Sequence, residues 1–264
     1  MKFISPLRKV FDFLEWTYIL KSKKYFDFIT KKTMININNL KKYYNGTCVL
    51  DIPTLEIPDK ESFGLVGNNG AGKTTFFRLI LDLIEANKGA VLLDNQPVVR
   101  NDEWKSKVGS FLDEGFLIDF LMPEEYFDFV AKLHDLSKDD LALFLKSMED
   151  FFNGEVLGTK KLIRDFSKGN QKKIGIVAAL IGNPKYLILD EPFTALDPSS
   201  QIRLKRFLND LQANSDITIL ISSHDLNHIT EVCKRIVLLE KGKIIKNQQT
   251  NVDTLQELEN YFAV

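Results

Sequence analysis

The chain has 264 residues and a formal net charge of −1, with 44% hydrophobic and 27% charged residues. This length and composition predict a globular protein with one sizeable core and a smaller lobe. The nearly neutral charge argues against a nucleic-acid-binding function. No run of 18 apolar residues occurs, so we expect no membrane-spanning helix, and the two cysteines, Cys48 and Cys233, lack metal-ligand spacing.

The first 33 residues form a basic segment with an amphipathic pattern. They contain eight lysine or arginine residues and three acids. A helix with Ser5 as N-cap and Pro6 at its first position would carry Leu7 and Phe11 on one apolar face. Three interpretations stay open for this segment. It contacts a membrane surface or a partner, it packs on the following domain, or it is an upstream start to a domain that begins at residue 34.

A phosphate-binding loop is predicted after a β-rich region that runs from residue 34 to about 58. The apolar stretch 63–66 is typical of a strand, a helix-like stretch begins at residue 76, and a G-x-x-x-x-G-K-[ST] motif lies between them. The motif and the residue after it are Gly67, Asn68, Asn69, Gly70, Ala71, Gly72, Lys73, Thr74 and Thr75. Its glycines let backbone N–H groups point at phosphates, and the helix adds its positive end. Lys73 is expected to reach the β- and γ-phosphates and Thr74 to bind Mg²⁺, the alternative being a glycine turn that enters a helix.

Residues 88–165 predict a pair of strands followed by a helical region. The GAVLLDNQPVV segment is expected to form two strands joined by a turn, and a short strand is expected before Asp113. From about 114 to 165, helix-like stretches alternate with turn residues. Five phenylalanines occur in or next to this region: Phe111, Phe116, Phe120, Phe127 and Phe129. We expect most of them to lie in the core.

Two later segments carry further candidate residues. The aliphatic run 186–189 predicts a buried parallel strand that ends in Asp190 and Glu191. Because ligands bind at the carboxyl edge of such sheets, Asp190 is expected to bind Mg²⁺ and Glu191 to polarise a water at the γ-phosphate. Shortly before this strand, residues 166–170 precede a helix, which is another anion-binding arrangement. Taken alone, the adjacent acids would be a solvated turn and the Ser-x-Gly sequence only a helix cap.

Together these motifs resemble, in order, those of the nucleotide-binding domains of the ATP-binding cassette (ABC) transporter family, from residue 34 to about 245. The resemblance identifies 67–75 as Walker A and 187–191 as Walker B. It implies an α/β fold for residues 34–264, a P-loop NTPase core with an antiparallel β subdomain and an inserted α-helical subdomain at about 114–165. The other implied site residues are the adenine-stacking Tyr44 (Tyr43 being less favoured), the signature residues Ser167, Lys168, Gly169 and Asn170, the D-loop Asp197, the switch histidine His224, and Asp113 at the position of the Q-loop glutamine.

The resemblance implies an ATPase that works as a dimer. Two cassettes, expected to be two copies of this chain, would pair head to tail so that the signature loop of one closes the ATP site of the other. Glu191 and His224 are implied as catalytic residues, and Thr74, Asp113 and Asp190 as Mg²⁺ ligands. A separate transmembrane permease subunit would insert a coupling helix near the Q-loop, where one or two phenylalanines face it. The ATPase is therefore expected in the cytoplasm, peripheral on the inner face of the cell membrane.

Departures from the family pattern refine this interpretation. Asp113 is shorter than the usual glutamine and is charged, while Lys168 and Asn170 replace a glycine and a glutamine. Ser-Lys-Gly signatures are similar to those of ABC-2 type export ATPases, which favours export. The alternative is a non-transport ABC ATPase that acts as a mechanical switch on a membrane or cell-envelope partner. A translation or DNA-repair ATPase is disfavoured, because the chain has one cassette and no heptad run.

Overall fold

The computed structural model describes residues 33–263, which fold around two β-sheets. The strands are β1 (Thr33–Tyr44), β2 (Thr47–Pro58), β3 (Ser62–Val66), β4 (Lys88–Leu93), β5 (Gln96–Pro97), β6 (Val108–Phe111), β7 (Tyr186–Asp190), β8 (Thr218–Ser223), β9 (Arg235–Glu240) and β10 (Lys243–Gln249). The helices are α1 (Lys73–Ile80), α2 (Pro123–Leu133), α3 (Lys138–Ser147), α4 (Glu149–Phe152), α5 (Lys168–Ala178), α6 (Pro198–Asn214), α7 (Leu226–Val232) and α8 (Thr254–Phe262). The fold class is α/β, as predicted.

The first sheet is the antiparallel subdomain that the sequence predicts. Its strand order is β2-β1-β4-β5. Asn45 and Gly46, which connect β1 to β2, both have positive φ angles, 48° and 81°, as a two-residue Asn-Gly hairpin turn requires. β1 also pairs with β4, with Ile35 opposite Leu93. The predicted β-rich region before the phosphate loop is confirmed.

The second sheet brings the ends of several strands to one edge. Its order is β10-β9-β3-β8-β7-β6, and its strands run parallel except for β10, which is antiparallel to β9. Strands β3, β7 and β8 are buried along their whole length, as parallel strands covered on both faces are. The phosphate loop, the Asp190–Glu191 pair and His224 each follow one of these three neighbouring strands. They therefore meet at the carboxyl edge of the sheet, where α/β folds bind ligands.

The core has two apolar clusters, one on each face of the parallel sheet. Side chains alternate between the faces along β7, so that Tyr186 and Ile188 pack toward α1 and the antiparallel sheet. Leu187 and Leu189 pack toward the helices on the other face, among them α5 and α6. This burial on both sides fixes the end of β7 beside the start of α1, so the packing of the core positions the candidate site.

Helices α2, α3 and α4 form the predicted helical region. The helix-like run 138–152 is interrupted at Met148, which gives two helices instead of one. Phe111 and Phe127 are buried, as expected. The prediction of core positions is wrong for three others, which are exposed: Phe116, Phe120 and Phe129. On α2, Phe129 is two residues from the buried Phe127 and so lies on another face of the helix. Phe116 ends a short 3₁₀ turn, and Phe120 lies in a turn before α2.

No helix within residues 33–263 is long and apolar enough to cross a bilayer. The predicted amphipathic segment, residues 1–33, lies outside the described residues except for Thr33, the first residue of β1. The two cysteines differ in environment. Cys48 is exposed, whereas Cys233 is buried, and burial raises the pKa of its thiol.

Candidate functional site

The phosphate loop connects β3 to α1 in a conformation that depends on glycine. Gly70 and Gly72 have φ angles of 82° and 109°, in the left-handed region that favours glycine. A Cβ on Gly67 would lie 2.3 Å from the carbonyl oxygen of Leu239, so a side chain would clash with β9. The buried Lys73 opens α1, and its Nζ donates to the carbonyl oxygen of Gly67 at 2.6 Å. The loop and its lysine thus form a preformed anion cradle at the positive end of a helix.

Asp190 is buried at the end of β7 and is held by two hydroxyl groups. The Oγ1 of Thr74 donates to its Oδ2 at 2.5 Å, and the Oγ of Ser222 donates to its Oδ1. Only 4% of Asp190 is exposed, and this burial raises the pKa of its carboxyl group, while the two hydroxyl donors oppose the rise. The predicted Thr74–Asp190 pair is therefore assembled beside the phosphate loop.

Glu191 lies between Lys73 and His224. Its Oε1 is 3.1 Å from the Nζ of Lys73, and its Oε2 is 2.9 Å from the Nδ1 of His224. The Lys73 contact is an ion pair without hydrogen-bond geometry, so among the described residues the buried Oε1 accepts no hydrogen bond. The backbone φ of Glu191 is +48°, which is uncommon for a residue with a side chain. A basic residue thus flanks each oxygen of the carboxylate, and one oxygen has free acceptor capacity.

Two adjoining cavities hold most of the predicted site residues. The first, of about 270 Å³, is lined by the loop residues 68–75, Tyr44 and Glu191. Tyr44 is 44% exposed, and the Nζ of Lys42 lies over its ring, 5.0 Å from the centroid. The second, of about 320 Å³, is lined by Thr74, Asp190 and Glu191 and also by Asp113 and Lys168. Glu191 and Thr74 belong to both cavities, so the two spaces meet at the end of β7.

The signature residues lie at the start of α5. Ser167 is the N-cap, and its Oγ accepts a hydrogen bond from the backbone N–H of Asn170 at 3.3 Å. Gly169 lies so close to the loop after β7 that an added Cβ would be 2.8 Å from the carbonyl oxygen of Ala195. Ser167 and Lys168 are exposed. Of the four signature residues, only Lys168 lines a cavity with the Walker residues.

Asp113 and Asp197 both have local capping contacts. The Oδ1 of Asp113 accepts from the backbone N–H of Gly115 at 2.7 Å, at the start of a short 3₁₀ turn. Asp197 is the N-cap of α6 and accepts from the N–H and Oγ of Ser200 and the Oγ of Ser199. These bonds hold the pKa of the Asp197 carboxyl well below its usual range. Both carboxylates are therefore fixed in orientation before any ligand binds.

Comparison with known proteins assigns the family. A family model described as "ABC transporter" matches residues 50–194. The chain belongs to the ABC transporter family. It is 36% identical over 210 residues to the uncharacterized ABC transporter ATP-binding protein YhaQ of Bacillus subtilis, across 80% of this chain and 69% of that protein. It is 30% identical over 230 residues to the lantibiotic transport ATP-binding protein SrtF of Streptococcus pyogenes, across 86% of this chain and 96% of that protein.

Solved structures agree with this assignment. An ATP-binding subunit of an ABC transporter superimposes with a TM-score of 0.75 at 26% identity, over 86% of this chain and 94% of the other. The predicted fold and the predicted family are confirmed, and the chain is the ATP-binding subunit of an ABC transporter.

The ABC site also contains residues to which the sequence analysis gave no role. Ser222 bridges Asp190 and the backbone N–H of Glu191, to which its Oγ is 3.0 Å. Lys172, on α5, donates from Nζ to the carbonyl oxygen of Glu191 at 2.8 Å and to the Oγ1 of Thr194 at 2.7 Å. A lysine in a polar stretch is usually a surface residue, so only its helical position among buried neighbours could have indicated the site.

The residues present suit both Mg²⁺ and a nucleotide phosphate. Thr74 and Asp190 supply hard oxygen donors, which Mg²⁺ prefers, and they lie at the positive end of α1. The Oε1 of Glu191 is buried beside the ammonium group of Lys73 and accepts no hydrogen bond from the described residues, so it keeps acceptor capacity for a water once Lys73 moves. This ABC subunit therefore has the donor set that a metal-dependent nucleotide reaction requires.

Proposed function

We propose that this ABC subunit hydrolyses ATP with Mg²⁺ and thereby drives transport, with export favoured, through a separate membrane permease. One observation carries the proposal. The carboxylate of Glu191 is held 3.1 Å from Lys73 and 2.9 Å from His224, beside the phosphate loop, with one oxygen free to accept. A carboxylate in this position is suited to orient a water toward a γ-phosphate bound on the loop.

The resting contacts of Lys73 support a binding role for it. Its ammonium group contacts the carbonyl oxygen of Gly67 and the carboxylate of Glu191. An ATP phosphate offers stronger acceptors than the carbonyl oxygen, so binding transfers Lys73 to the phosphates. The transfer releases Glu191 from its ion pair and leaves its carboxylate available to the attacking water. Binding and activation of the base are thus coupled in one movement.

The remaining residues of the site bind and orient. Tyr44 stacks on the adenine, and His224 contacts the γ-phosphate. Thr74 and Asp190 would hold Mg²⁺, and Asp113, which lines the same cavity, would supply a further oxygen donor. When bound, Mg²⁺ neutralises charge on the β- and γ-phosphate oxygens. The protein residues supply positioning and electrostatic stabilisation, which dominate phosphoryl transfer.

A second copy of the chain is proposed to complete each site. Ser167, Gly169 and Asn170 do not line the cavity that contains Tyr44 and the phosphate loop within this chain. Head-to-tail pairing supplies these residues from the second copy, with Asp197 coupling the two sites. Bound ATP then contacts both subunits and stabilises the dimer, and hydrolysis allows the subunits to separate.

The permease is proposed to dock in a groove beside β6. This groove, of about 330 Å³, lies between β6, α2 and α5, and its lining includes Phe116, Tyr126 and His134. Phe116 is 56% exposed there. An exposed aromatic ring at an apolar groove is suited to receive a helix from a partner. The subunit then resides in the cytoplasm, peripheral on the inner face of the membrane.

Two observations favour export: the name of a similar protein and the sequence of the signature residues. SrtF, named for lantibiotic transport, aligns with 86% of this chain. The Ser167-Lys168-Gly169 sequence resembles signatures of ABC-2 type exporters. Both observations favour outward transport over a non-transport mechanical switch.

Phosphate release from ATP tests the catalytic proposal. The full chain should release phosphate in a Mg²⁺-dependent manner, and Glu191→Gln should lose about two to four orders of magnitude in kcat, the contribution of a general base, while it still binds ATP. Glu103→Gln is a matched control, because Glu103 is exposed and lines neither cavity of the site. Normal turnover by Glu191→Gln would refute the role of this carboxylate.

Affinity purification from the native membrane tests the partner. A polytopic membrane protein should co-purify with the wild-type chain and be depleted with Phe116→Ser, which changes the groove. Phe129→Ser is the control, since Phe129 is 44% exposed on α2 but does not line the groove. Absence of any such protein, or equal loss with both variants, would contradict docking at this groove.

A further inference from the structure

The backbone of Glu191 adopts a conformation that requires support. Its φ of +48° lies in the left-handed region, which is disfavoured for a residue with a Cβ. Its N–H donates to Ser222, with 3.2 Å to the carbonyl oxygen and 3.0 Å to Oγ. Its carbonyl oxygen accepts from the Oγ1 of Thr194 at 2.8 Å and from the Nζ of Lys172 at 2.8 Å. Both sides of the peptide backbone are therefore held, and Lys172 provides the one charged contact among these.

Lys172 is a buried cation whose partners account for its position. Only 5% of the residue is exposed, and burial lowers the pKa of its ammonium group. An ammonium has three donors, and three acceptors surround this one. Two are the Glu191 carbonyl and Thr194 Oγ1 described above, and the third is the carboxylate of Glu114 at 3.6 Å. A buried charge of this kind is retained only where its partners compensate for lost hydration.

The three partners of Lys172 come from two segments of the site, and Lys172 itself lies on a third. Lys172 is in the first turns of α5, two residues after the last signature residue, Asn170. Glu191 and Thr194 follow β7, whereas Glu114 follows β6 and starts the chain toward the helical region. Because β6 and β7 are neighbours in the sheet, their carboxyl ends lie side by side. The ammonium group of Lys172 thus joins three elements that carry different functions.

We propose that Lys172 is a positioning residue for ATP hydrolysis: its ammonium group holds the strained backbone of Glu191 and ties it, through Glu114, to the segment that leads into the helical region. The inference rests on the proposed role of Glu191 as the residue that orients water. Lys172 acts through that residue, because the hydrogen bonds of its ammonium group are to the Glu191 carbonyl oxygen and to Thr194. Movement of the Glu114 segment changes the acceptors around Lys172 and thereby the orientation of the Glu191 carboxylate.

Lys173 provides a matched comparison on the same helix. It is buried to 99%, and its ammonium group pairs with Glu155 at 2.9 Å. Its contacts are with the helical region and not with Glu191. If Lys172 serves only as a buried structural cation, replacement of either lysine by methionine has the same kind of effect. A positioning role predicts that the two variants differ.

Steady-state ATP hydrolysis by the full chain is the primary test. Lys172→Met should lower kcat about tenfold or more, as expected for loss of a charge-assisted hydrogen bond at the reacting centre, with KM for ATP changed less than about twofold. Lys172→Gln, which keeps a donor without the charge, should fall between wild type and methionine. Lys173→Met should retain kcat within about threefold, because its ion pair with Glu155 does not involve Glu191. Equal kcat for Lys172→Met and wild type overturns the proposal, as does an equal loss in Lys173→Met.

Glu191→Gln, assayed in parallel, distinguishes failure of the catalytic role of Glu191 from failure of the positioning role of Lys172. If Glu191→Gln turns over normally, the proposed catalytic role fails, whatever Lys172 does. If Glu191→Gln is inactive and Lys172→Met retains full kcat, only the positioning role fails.

Hydrogen exchange of the peptide that covers residues 189–196 gives a readout independent of activity. Exchange in this segment should accelerate at least about fivefold in Lys172→Gln and Lys172→Met, because a support of the left-handed Glu191 is lost. Lys173→Met should leave this peptide unchanged, and Glu114→Gln should have an intermediate effect. If Lys172→Met fails to fold, Lys172→Gln supplies the comparison. Unchanged exchange in both Lys172 variants overturns the proposal.

Discussion

Replacement of Thr74 by valine removes the hydroxyl group that donates a hydrogen bond to Asp190, the most buried acid of the site. Valine has nearly the shape of threonine, so the change deletes the hydrogen bond to Asp190 with little change in packing. That bond is 2.5 Å long, and Asp190 is only 4% exposed, so little solvent reaches the carboxylate to replace the lost donor. Of the described residues, Ser222 then remains as its hydrogen-bond donor. Hydrogen bonds to charged groups contribute about 1.5–3 kcal/mol, and we expect the free energy of unfolding of the nucleotide-free protein to fall by this amount.

A double-mutant cycle with Asp190→Asn isolates the interaction. In the Asp190→Asn background the hydroxyl meets a neutral amide, for which a hydrogen bond contributes about 1 kcal/mol. The cost of Thr74→Val should therefore be smaller there, with a coupling energy of about 1 kcal/mol. Thr75→Val is the control for valine in α1, because the structure shows no hydrogen bond from the Thr75 hydroxyl to the described residues.

Urea denaturation of the four proteins of the cycle, without nucleotide, supplies the free energies. Calorimetric titration of ATP with and without Mg²⁺ then measures the second consequence, since Thr74→Val should abolish most of the gain in affinity that Mg²⁺ gives the wild type. A coupling energy below about 0.3 kcal/mol would mean that the Thr74–Asp190 contact contributes nothing specific. An unchanged effect of Mg²⁺ would refute the assignment of Thr74 as a metal ligand.

Substitutions at three further residues test separate roles. Lys73→Ala should weaken ATP binding by roughly tenfold or more, since it removes a charged donor to the phosphates, and calorimetric titration with unchanged affinity would contradict this. Asp197→Ala should lower the free energy of unfolding in urea by about 1 kcal/mol at pH 7 through loss of the α6 cap, while Asp197→Asn should retain most of it. Because the pKa of Asp197 is lowered in the folded state, this loss should be fully present above about pH 4 and shrink at lower pH, and a pH-independent loss would argue against the charged cap. Gly169→Ala places a Cβ 2.8 Å from the carbonyl oxygen of Ala195, so phosphate release should fall about tenfold with ATP binding retained, and normal release would show that the loop adapts.

Local patterns allowed much of the site to be predicted. The phosphate loop combines a strand, glycines at turn positions and a helix within a few residues. Each part is predictable because it depends on the backbone conformation of neighbouring residues. Gly72, with a φ of 109°, shows why the motif requires glycine. Asp190 and Glu191 were predictable for a similar reason, because a buried strand that ends in acids places them at the ligand-binding edge of the sheet.

Other features depend on contacts between distant segments and leave little local signal. Lys172 looks like a surface lysine until α5 packs against the end of β7, and Ser222 looks like an ordinary strand residue until β8 lies beside β7. Phe116 and Phe129 are exposed although their residue type favours the core, because hydrophobicity alone does not tell which face of a lobe is covered. The helix-like run 138–152 is divided at Met148, where α3 ends and α4 begins, and the sequence pattern of the run does not indicate this division.

Light scattering after size-exclusion chromatography of the full-length Glu191→Gln protein tests the central claim, that ATP joins two of these cassettes around shared sites. The chain has a mass of 30.3 kDa. With ATP and Mg²⁺ the mass should double, and without nucleotide, or with Lys73→Ala added, it should remain that of one chain. A mass that stays monomeric at saturating ATP and Mg²⁺ would contradict pairing of two copies around the nucleotide.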